Sequence, residues 1–502
     1  EGLHGQNPLP RPGKDSEWRP PQSRELRIVM PIPVIQVSQM REWEQSSWAA
    51  GRNEQEVISR VGHIVTQRAC RMTRRGDLIV VLAGKGHNGD DARQCSRNFS
   101  DREVILIDAT DPVEALKEFS AQRTLQPALV VDGLFGIGLN RTLDGAWQAL
   151  IRGVNESQIP ILSIDSPSGL NSDTGDVWGA AICATVTLTL AAPKRGLVQA
   201  SAWEHVGRLE VAPDIGLIPA SPESNLYWTG SGDFRDYPPP RPVAGHKGTF
   251  GHVTIVASSL GYHGAGVLAA RGALRAQPGL VTLFTDPSVY IPVASQLQSV
   301  MVKPWALKEF SAHAGTALLF GPGLAGPDLA LDLRTEMGRL WNEAPIPILT
   351  DATGLEWLIP GPVASKALRV ITPHPGEAAR LLGISVAEVQ ADRARATAGL
   401  SRRFGDCWVV LKGHQTMIGR SSGPLFLNPT GNPCLAQGGS GDLLAGYLAG
   451  LLAQPGLRES AESALRYGVW QHGAGADALT ARNRSWTIED LAVSLGNNHQ
   501  TL

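Results

Sequence analysis

Short, mainly apolar runs recur along most of the chain, several of them followed by loops rich in glycine and acids, with amphipathic stretches filling the intervals. Leu78–Ala83 (LIVVLA) is the clearest run, and 104–107, 128–131 and 161–164 follow it in the first half. The second half repeats the theme at 252–257, 280–285, 316–320, 346–350, 369–372 and 407–411. Continuous apolar runs of this length belong to parallel strands covered on both faces. With helical periods between them, they predict an α/β chain. A helical pattern over 37–71, broken near Gly51, precedes the first run, with Ser38 as its expected N-cap.

Two stretches break the pattern. Residues 1–24 are polar and proline-rich, which predicts a disordered lead. Residues 218–243 are rich in Pro, Ser and Gly and read as a semi-rigid connection. The expected domains are therefore 25–217 and 244–502. A fragment beginning near Ala244 is expected to fold alone, because its core and its candidate residues all lie within it.

Composition narrows the class. The 502 residues are too many for one ordinary core, and 42% hydrophobic with 18% charged residues describes a folded globular chain. A formal net charge of −2 points to no nucleic acid and no anionic membrane. No apolar run is long enough for a membrane helix, and no basic-then-apolar leader opens the sequence. Cys70, Cys95, Cys183, Cys407 and Cys434 lie far apart, so buried free thiols in a reducing cytoplasm are expected.

The first-half loops carry acids at strand ends. Gly84, Gly86 and Gly89 satisfy G-x-G-x-x-G, and Asp108 stands where a dinucleotide fold has its ribose-binding acid. A lone match of this kind is common by chance, and His87, Asn88, Asp90 and Asp91 stand where a dinucleotide loop has small residues. Asp132 and Asp165 close two further strands. The carboxyl ends of parallel strands line one crevice, so Asn88, Asp132, Asp165 and Ser168 can converge. Each acid also reads as a helix cap.

The second half ends in the most informative stretch. Gly438, Gly439, Ser440, Gly441 and Asp442 run into a helix of small apolar residues. Glycine N–H groups and a helix N-terminus together suit a phosphate. No Lys-Ser/Thr pair follows, so this is no Walker loop. Asp442 is either a first-turn cap or a general base for a hydroxyl attacking the bound phosphate.

The pattern from Gly431 to Gly446, G-N-P-x-x-A-x-G-G-x-G-D-x-L-x-G, resembles the ADP-dependent NAD(P)H-hydrate dehydratase family, within the ribokinase-like kinases. That resemblance implies a ribokinase-like domain. It implies ADP contacts at Lys412, Gly413, His414, Gln415, Thr416 and Gly441, and substrate contacts at Ala265, Gly323, His374 and Asp442, with Asp442 catalytic. Magnesium is expected with the nucleotide.

The first half is similar to the NAD(P)H-hydrate epimerase family, through the 84–91 loop, V-V-D-G-L-F-G-I-G-L-N-R, I-D-S-P-S-G-L-N-S-D-T-G and residues 190–194 (LAAPK). It implies a Rossmann-like three-layer domain with potassium on Asn88, Asp132 and Ser168, an oxygen-only set suited to a hard cation. It also implies substrate contacts at His87, Asn88, Gly89, Asp90, Asp91, Gly136, Ile137, Gly138, Leu139, Asn140, Arg141, Thr142 and Asp165, with Asp165 catalytic. Asp90 stands where that family has a glycine, a costly exchange if the position needs positive φ. Together the halves imply epimerisation and dehydration of hydrated NADH and NADPH on one homo-oligomeric chain. A kinase fused to a non-catalytic nucleotide-binding or interaction domain is the alternative.

Overall fold

A computed structural model describes residues 31–220, 222–305, 315–326, 329, 331–483 and 485–497. The expected disordered lead, 1–24, lies outside the described residues. In chain order the strands are β1 (Ile32–Pro33), β2 (Leu78–Ala83), β3 (Glu103–Asp108), β4 (Leu129–Gly133), β5 (Ile161–Ile164), β6 (Val186–Leu190), β7 (Arg208–Ala212) and β8 (Leu226–Trp228). They continue with β9 (His252–Val256), β10 (Leu280–Thr285), β11 (Met301–Pro304), β12 (Ala317–Phe320), β13 (Ile348–Thr350) and β14 (Arg369–Ile371). The last three are β15 (Trp408–Leu411), β16 (Met417–Gly419) and β17 (Leu425–Leu427).

Six strands form an all-parallel sheet in the order β3-β2-β4-β5-β6-β7. Alternate residues of β2 enter different cores: Ile79, Val81 and Ala83 one, Val80 and Leu82 the other. This is the three-layer arrangement that a run apolar at every position requires. The larger sheet has the order β1-β8-β17-β16-β15-β14-β13-β12-β9-β10-β11, and its central strands divide between two cores in the same way. Both lobes are thus α/β.

The helix Ser440–Leu452 packs on the helix His263–Arg275 through small residues. A Cβ on Gly446 would stand 1.9 Å from the Ala269 carbonyl, and one on Gly272 would stand 2.1 Å from that of Leu443. Glycine there permits backbone-to-backbone contact, and this contact fixes where Asp442 begins its helix.

Three local expectations change. Gln36, not Ser38, stands at the N-cap of the helix Val37–Ala49, and its backbone N–H donates to Gln39 Oε1 at 2.9 Å. The break falls at Gly51, whose φ of +84° suits glycine. The five cysteines are free, but Cys183 and Cys434 are exposed rather than buried.

The stretch 218–243 carries structure of its own. β8 pairs with β17 on one side and β1 on the other, and Phe234 is 2% exposed against Tyr467 and Trp470. Arg466 forms a buried ion pair with Asp233 and stacks over Phe234 and Phe426. Prolines tether this segment, but its aromatics supply core to the C-terminal lobe. The lobes also share an apolar core: Val34, Leu170, Leu197, Ala202, Val206 and Leu209 from the first half cluster with Phe320, Leu324 and Ile371 from the second.

Candidate active sites

In the C-terminal lobe the loops after β9, β12, β13, β14 and β15 open at one edge of five neighbouring strands. Lys412, immediately after β15, donates from Nζ to Asp351 Oδ1 at 2.6 Å. Thr372 Oγ1, after β14, donates to the same oxygen at 2.8 Å. A Cβ on Gly441 would lie 3.1 Å from Lys412 Nζ and 3.7 Å from Asp351 Oδ2. Lys412, Gly441 and Asp442 are therefore one cluster, joined by Asp351. The sequence reading gave Asp351 no role.

Charge and burial tune this cluster. Burial first, and then Asp351, push Asp442 up to about 6, while Lys412 pulls it down and Glu377 adds to the rise. Burial alone would lower Lys412, but Asp351, Glu377 and Asp442 together hold it above its ordinary value. Asp442 accepts no capping hydrogen bond, and its helix starts instead from Gly439 at φ +90°. An uncapped carboxyl titrating near neutrality has the properties of a base.

The other expected residues fall around it. His374 caps the helix Pro375–Leu382, its Nδ1 accepting from Gly376 N at 3.0 Å and Glu377 N at 3.3 Å. The acceptor role assigns the proton of the neutral ring to Nε2, 3.5 Å from Glu377 Oε1. Ala265 and Gly323 meet: a Cβ on Gly323 would stand 2.7 Å from that of Ala265. Gly413 (φ +126°), Gln415 (φ +50°) and Thr416 form the turn from β15 into β16, with Thr416 Oγ1 donating to the Gly413 carbonyl. Gln415 is buried with both amide atoms unpartnered. His414 is exposed. His472, absent from the sequence reading, is buried behind the glycine loop and bonds Ser440's backbone; burial lowers it to about 4, so it is neutral.

In the N-terminal lobe, fully buried Asp132 is the hub. Its Oδ1 accepts from Ser168 Oγ at 2.5 Å and Leu134 N at 3.3 Å, and its Oδ2 from Ser163 Oγ at 2.8 Å and Ser168 N at 2.9 Å. Burial raises Asp132, against these hydrogen bonds, which lower it. Asn88 is buried in the first turn of His87–Asn98; a Cβ on Gly136 would lie 3.3 Å from its side chain. Asn88 Nδ2 has no partner.

Asp165 lies at φ +63° and accepts on Oδ1 from buried Lys194 Nζ at 2.5 Å. Lys194 also donates to Thr189 Oγ1 and the Leu190 carbonyl. The sequence flagged the 190–194 stretch without giving Lys194 a part. Burial, then Asp165, Asp90 and Glu44, push Asp91 well above the usual carboxylate range. Glu44, from Val37–Ala49, is raised by burial and by Asp165. A buried lysine thus faces a group of acids that do not all ionise together.

The departure at Asp90 is benign in this geometry. It lies in the first helical turn without positive φ, and Arg93 pairs it at 3.0 Å. Arg93 also holds Asp108 at 2.7 Å, so the dinucleotide-style acid is occupied. A Cβ on Gly84 or Gly89 would strike backbone oxygens at 1.9 or 2.0 Å, so these glycines serve close packing. His87 pairs with Glu54 at 3.1 Å. Residues 137–142 form a half-buried to exposed loop beyond Gly136, and Gly138, Asn140, Arg141 and Thr142 are exposed; Ile137 and Leu139 pack on the two cores.

Residues 253–497 match the family described as NAD(P)H-hydrate dehydratase, and residues 104–196 match that described as YjeF-related protein N-terminus. The bifunctional NAD(P)H-hydrate repair enzyme of Coxiella burnetii is 33% identical over 475 residues, covering 88% of this chain and 94% of that one. The chain belongs to the bifunctional NAD(P)H-hydrate repair enzyme family. The family's Escherichia coli member is 33% identical over 441 residues, 83% of this chain and 84% of its own. Among solved structures, the Bacillus subtilis ADP/ATP-dependent NAD(P)H-hydrate dehydratase co-crystallized with ATP/Mg2+ is 29% identical. It aligns with a TM-score of 0.48, covering 52% of this chain and 94% of its own. Family membership makes the chain an enzyme with an epimerase half and a dehydratase half. Among the described residues, no helix is long and apolar enough to cross a membrane.

Proposed function

We propose that the C-terminal site dehydrates the S hydrates of NADH and NADPH at the expense of ADP, and that the N-terminal site interconverts the R and S hydrates. The observation that carries this reading is Asp442, uncapped, raised to about 6, and beside the Lys412–Asp351 pair at a glycine-rich helix start. Asp442 takes the proton from the ring hydroxyl as that oxygen attacks the β-phosphorus of ADP, and AMP leaves. Residues 438–441 meet the transferring charge with backbone N–H groups and Lys412 with its ammonium. Inorganic phosphate then leaves the ring carbon, the neighbouring carbon loses a proton, and the ring double bond returns. Lys412, Gly413, His414, Gln415 and Thr416 hold the nucleotide, while Ala265, Gly323 and His374 face the hydrated ring. Magnesium would be held mainly through the nucleotide phosphates, with few protein carboxylates, and would neutralise charge on the transferring phosphoryl group.

In the N-terminal site Asp165, held by Lys194, takes the hydroxyl proton as the ring C–N bond at that carbon opens to an aldehyde, and returns it when the nitrogen closes on the opposite face. The Asp132 carboxylate, the Ser168 hydroxyl and the Asn88 amide oxygen would be the donors for potassium, an oxygen-only set. Bound potassium supplies a fixed positive charge beside the substrate. Free cysteines support a reducing, cytoplasmic setting.

The test is recovery of reduced-nicotinamide absorbance from mixed hydrates. With ADP both epimers return to reduced cofactor, with phosphate released. A stable phosphorylated product without recovery makes the C-terminal lobe a kinase.

A further inference from the structure

Trp203 belongs to the N-terminal lobe but packs on a loop of the C-terminal one. It begins the short helix Trp203–Val206, which is pinned by Thr187 Oγ1 donating to the Val206 carbonyl at 2.8 Å and by Ala202 and Val206 in the shared core. Its ring meets the His414 ring edge-on, with centroids 4.9 Å apart at 77°. Arg393 lies 5.8 Å from the same ring. The indole Nε1 is buried without a partner, so the ring is held by its packing alone.

Arg393 extends the contact beneath the loop. It is 6% exposed, and among the described residues its acceptors are an amide oxygen and a carbonyl rather than a carboxylate. Its guanidinium donates to the Leu411 carbonyl at 3.0 Å and to Gln390 Oε1 at 2.9 Å, and a Cβ on Gly413 would lie 3.2 Å from one of its nitrogens. A buried guanidinium without a counter-charge, directly under Gly413, favours a loop that carries an anion.

Five residues on, Arg208 reaches the second loop. It binds Asp477 Oδ2 at 3.0 Å. Asp477 in turn accepts from Gly431 N at 3.1 Å and Asn432 Nδ2 at 2.9 Å, at the turn that leads into the glycine-rich helix start. Behind Arg208, Glu210 takes two hydrogen bonds from Arg68, at 2.5 and 2.9 Å. One six-residue segment of the N-terminal lobe, 203–208, therefore grips both the 412–416 loop and the approach to Gly438.

We propose that this segment positions the nucleotide loops of the dehydratase site, so that the epimerase half sets the affinity of its partner half for a nucleoside diphosphate. Trp203 and Arg208 are positioning residues that touch neither substrate. The inference rests on the reading of residues 412–416 as the nucleotide site. It follows that nucleotide affinity responds to the N-terminal lobe, while the hydrate contacts at Ala265, Gly323 and His374, which the segment does not touch, do not.

The experiment uses the full chain carrying Trp203→Ala, Trp203→Phe or Arg208→Gln, with ADP as the probe. Kd is read by calorimetry, KM for ADP and for the S hydrate and kcat by absorbance recovery, and Tm as a control. For Trp203→Ala, both Kd and KM for ADP should rise about 3–10-fold, the size expected for losing one aromatic pair. kcat and the hydrate KM should stay within about 2-fold of wild type. Phe, which keeps an edge for His414, should restore most of the ADP affinity, and Arg208→Gln should weaken ADP in the same direction. Unchanged ADP affinity in Trp203→Ala and Arg208→Gln, with a lowered Tm, overturns the proposal and leaves the nucleotide site intact. Equal rises in the ADP and hydrate KM also overturn it, as general damage. If wild type and Lys412→Ala bind ADP alike, the nucleotide reading itself fails, and the proposal with it.

Discussion

Lys412 Nζ stands 2.6 Å from Asp351 Oδ1 and forms no ion pair with Asp442 within 4.0 Å. The ammonium is held by Asp351, and Asp442 beside it is raised to about 6. On the proposed mechanism the arrangement would separate charge stabilisation from proton removal, although both groups adjoin Gly441.

The pH profile follows from this. Asp442 must lose its proton to act, so dehydration turnover should rise through about pH 6 and level off above it. Asp351→Asn removes a negative neighbour and frees Lys412 to face Asp442, and both changes lower its value. The acidic limb should then move down by roughly one unit. Turnover measured between about pH 4.5 and 8 checks this; a limb that stays in place means another group titrates.

Asp132 accepts four hydrogen bonds while fully buried. Removing the side chain would strand those donors at about 1–3 kcal/mol each, so Asp132→Asn is the cleaner variant. Epimerisation should fall about 10²-fold or more and lose its response to potassium, while dehydration of the S hydrate is unchanged. Equal loss of both activities, with a lowered Tm, would make Asp132 purely structural.

The 218–243 segment gives a prediction about boundaries. A fragment of residues 244–502 discards Trp228, Phe234 and Asp233, leaving Arg466 without its buried carboxylate. Deleting one buried aromatic costs about 3–5 kcal/mol, and breaking a buried ion pair costs a similar amount. A fragment of residues 224–502 should therefore melt higher and stay more soluble than 244–502. Equal melting temperatures would return the segment to the role of a tether.

A continuous apolar run such as Leu78–Ala83 was legible because a strand covered on both faces leaves no polar position. β6 (VTLTL) was not, since its threonines mimic a half-exposed strand. In fact Thr187 and Thr189 are fully buried, their hydroxyls bonded to the Val206 carbonyl and to the Asp165–Lys194 pair. β8, β16 and β17 are three residues each, too short for any period to register. Asp442 and Asp132 could be read from their loops, because the acid and its glycines are neighbours in sequence. Lys194 needed the fold, being 29 residues from Asp165. Trp203 and His414 meet only because two lobes dock, and docking leaves no periodic trace.

The central claim is that Asp442 is the base, and Asp442→Asn tests it most directly. Asparagine preserves size and is an equally good residue for a helix start, so a structural role predicts little change. Phosphate release and absorbance recovery from the S hydrate with ADP should fall about 10²–10⁴-fold, with ADP affinity and epimerisation unchanged. Near-normal turnover in Asp442→Asn would contradict the account.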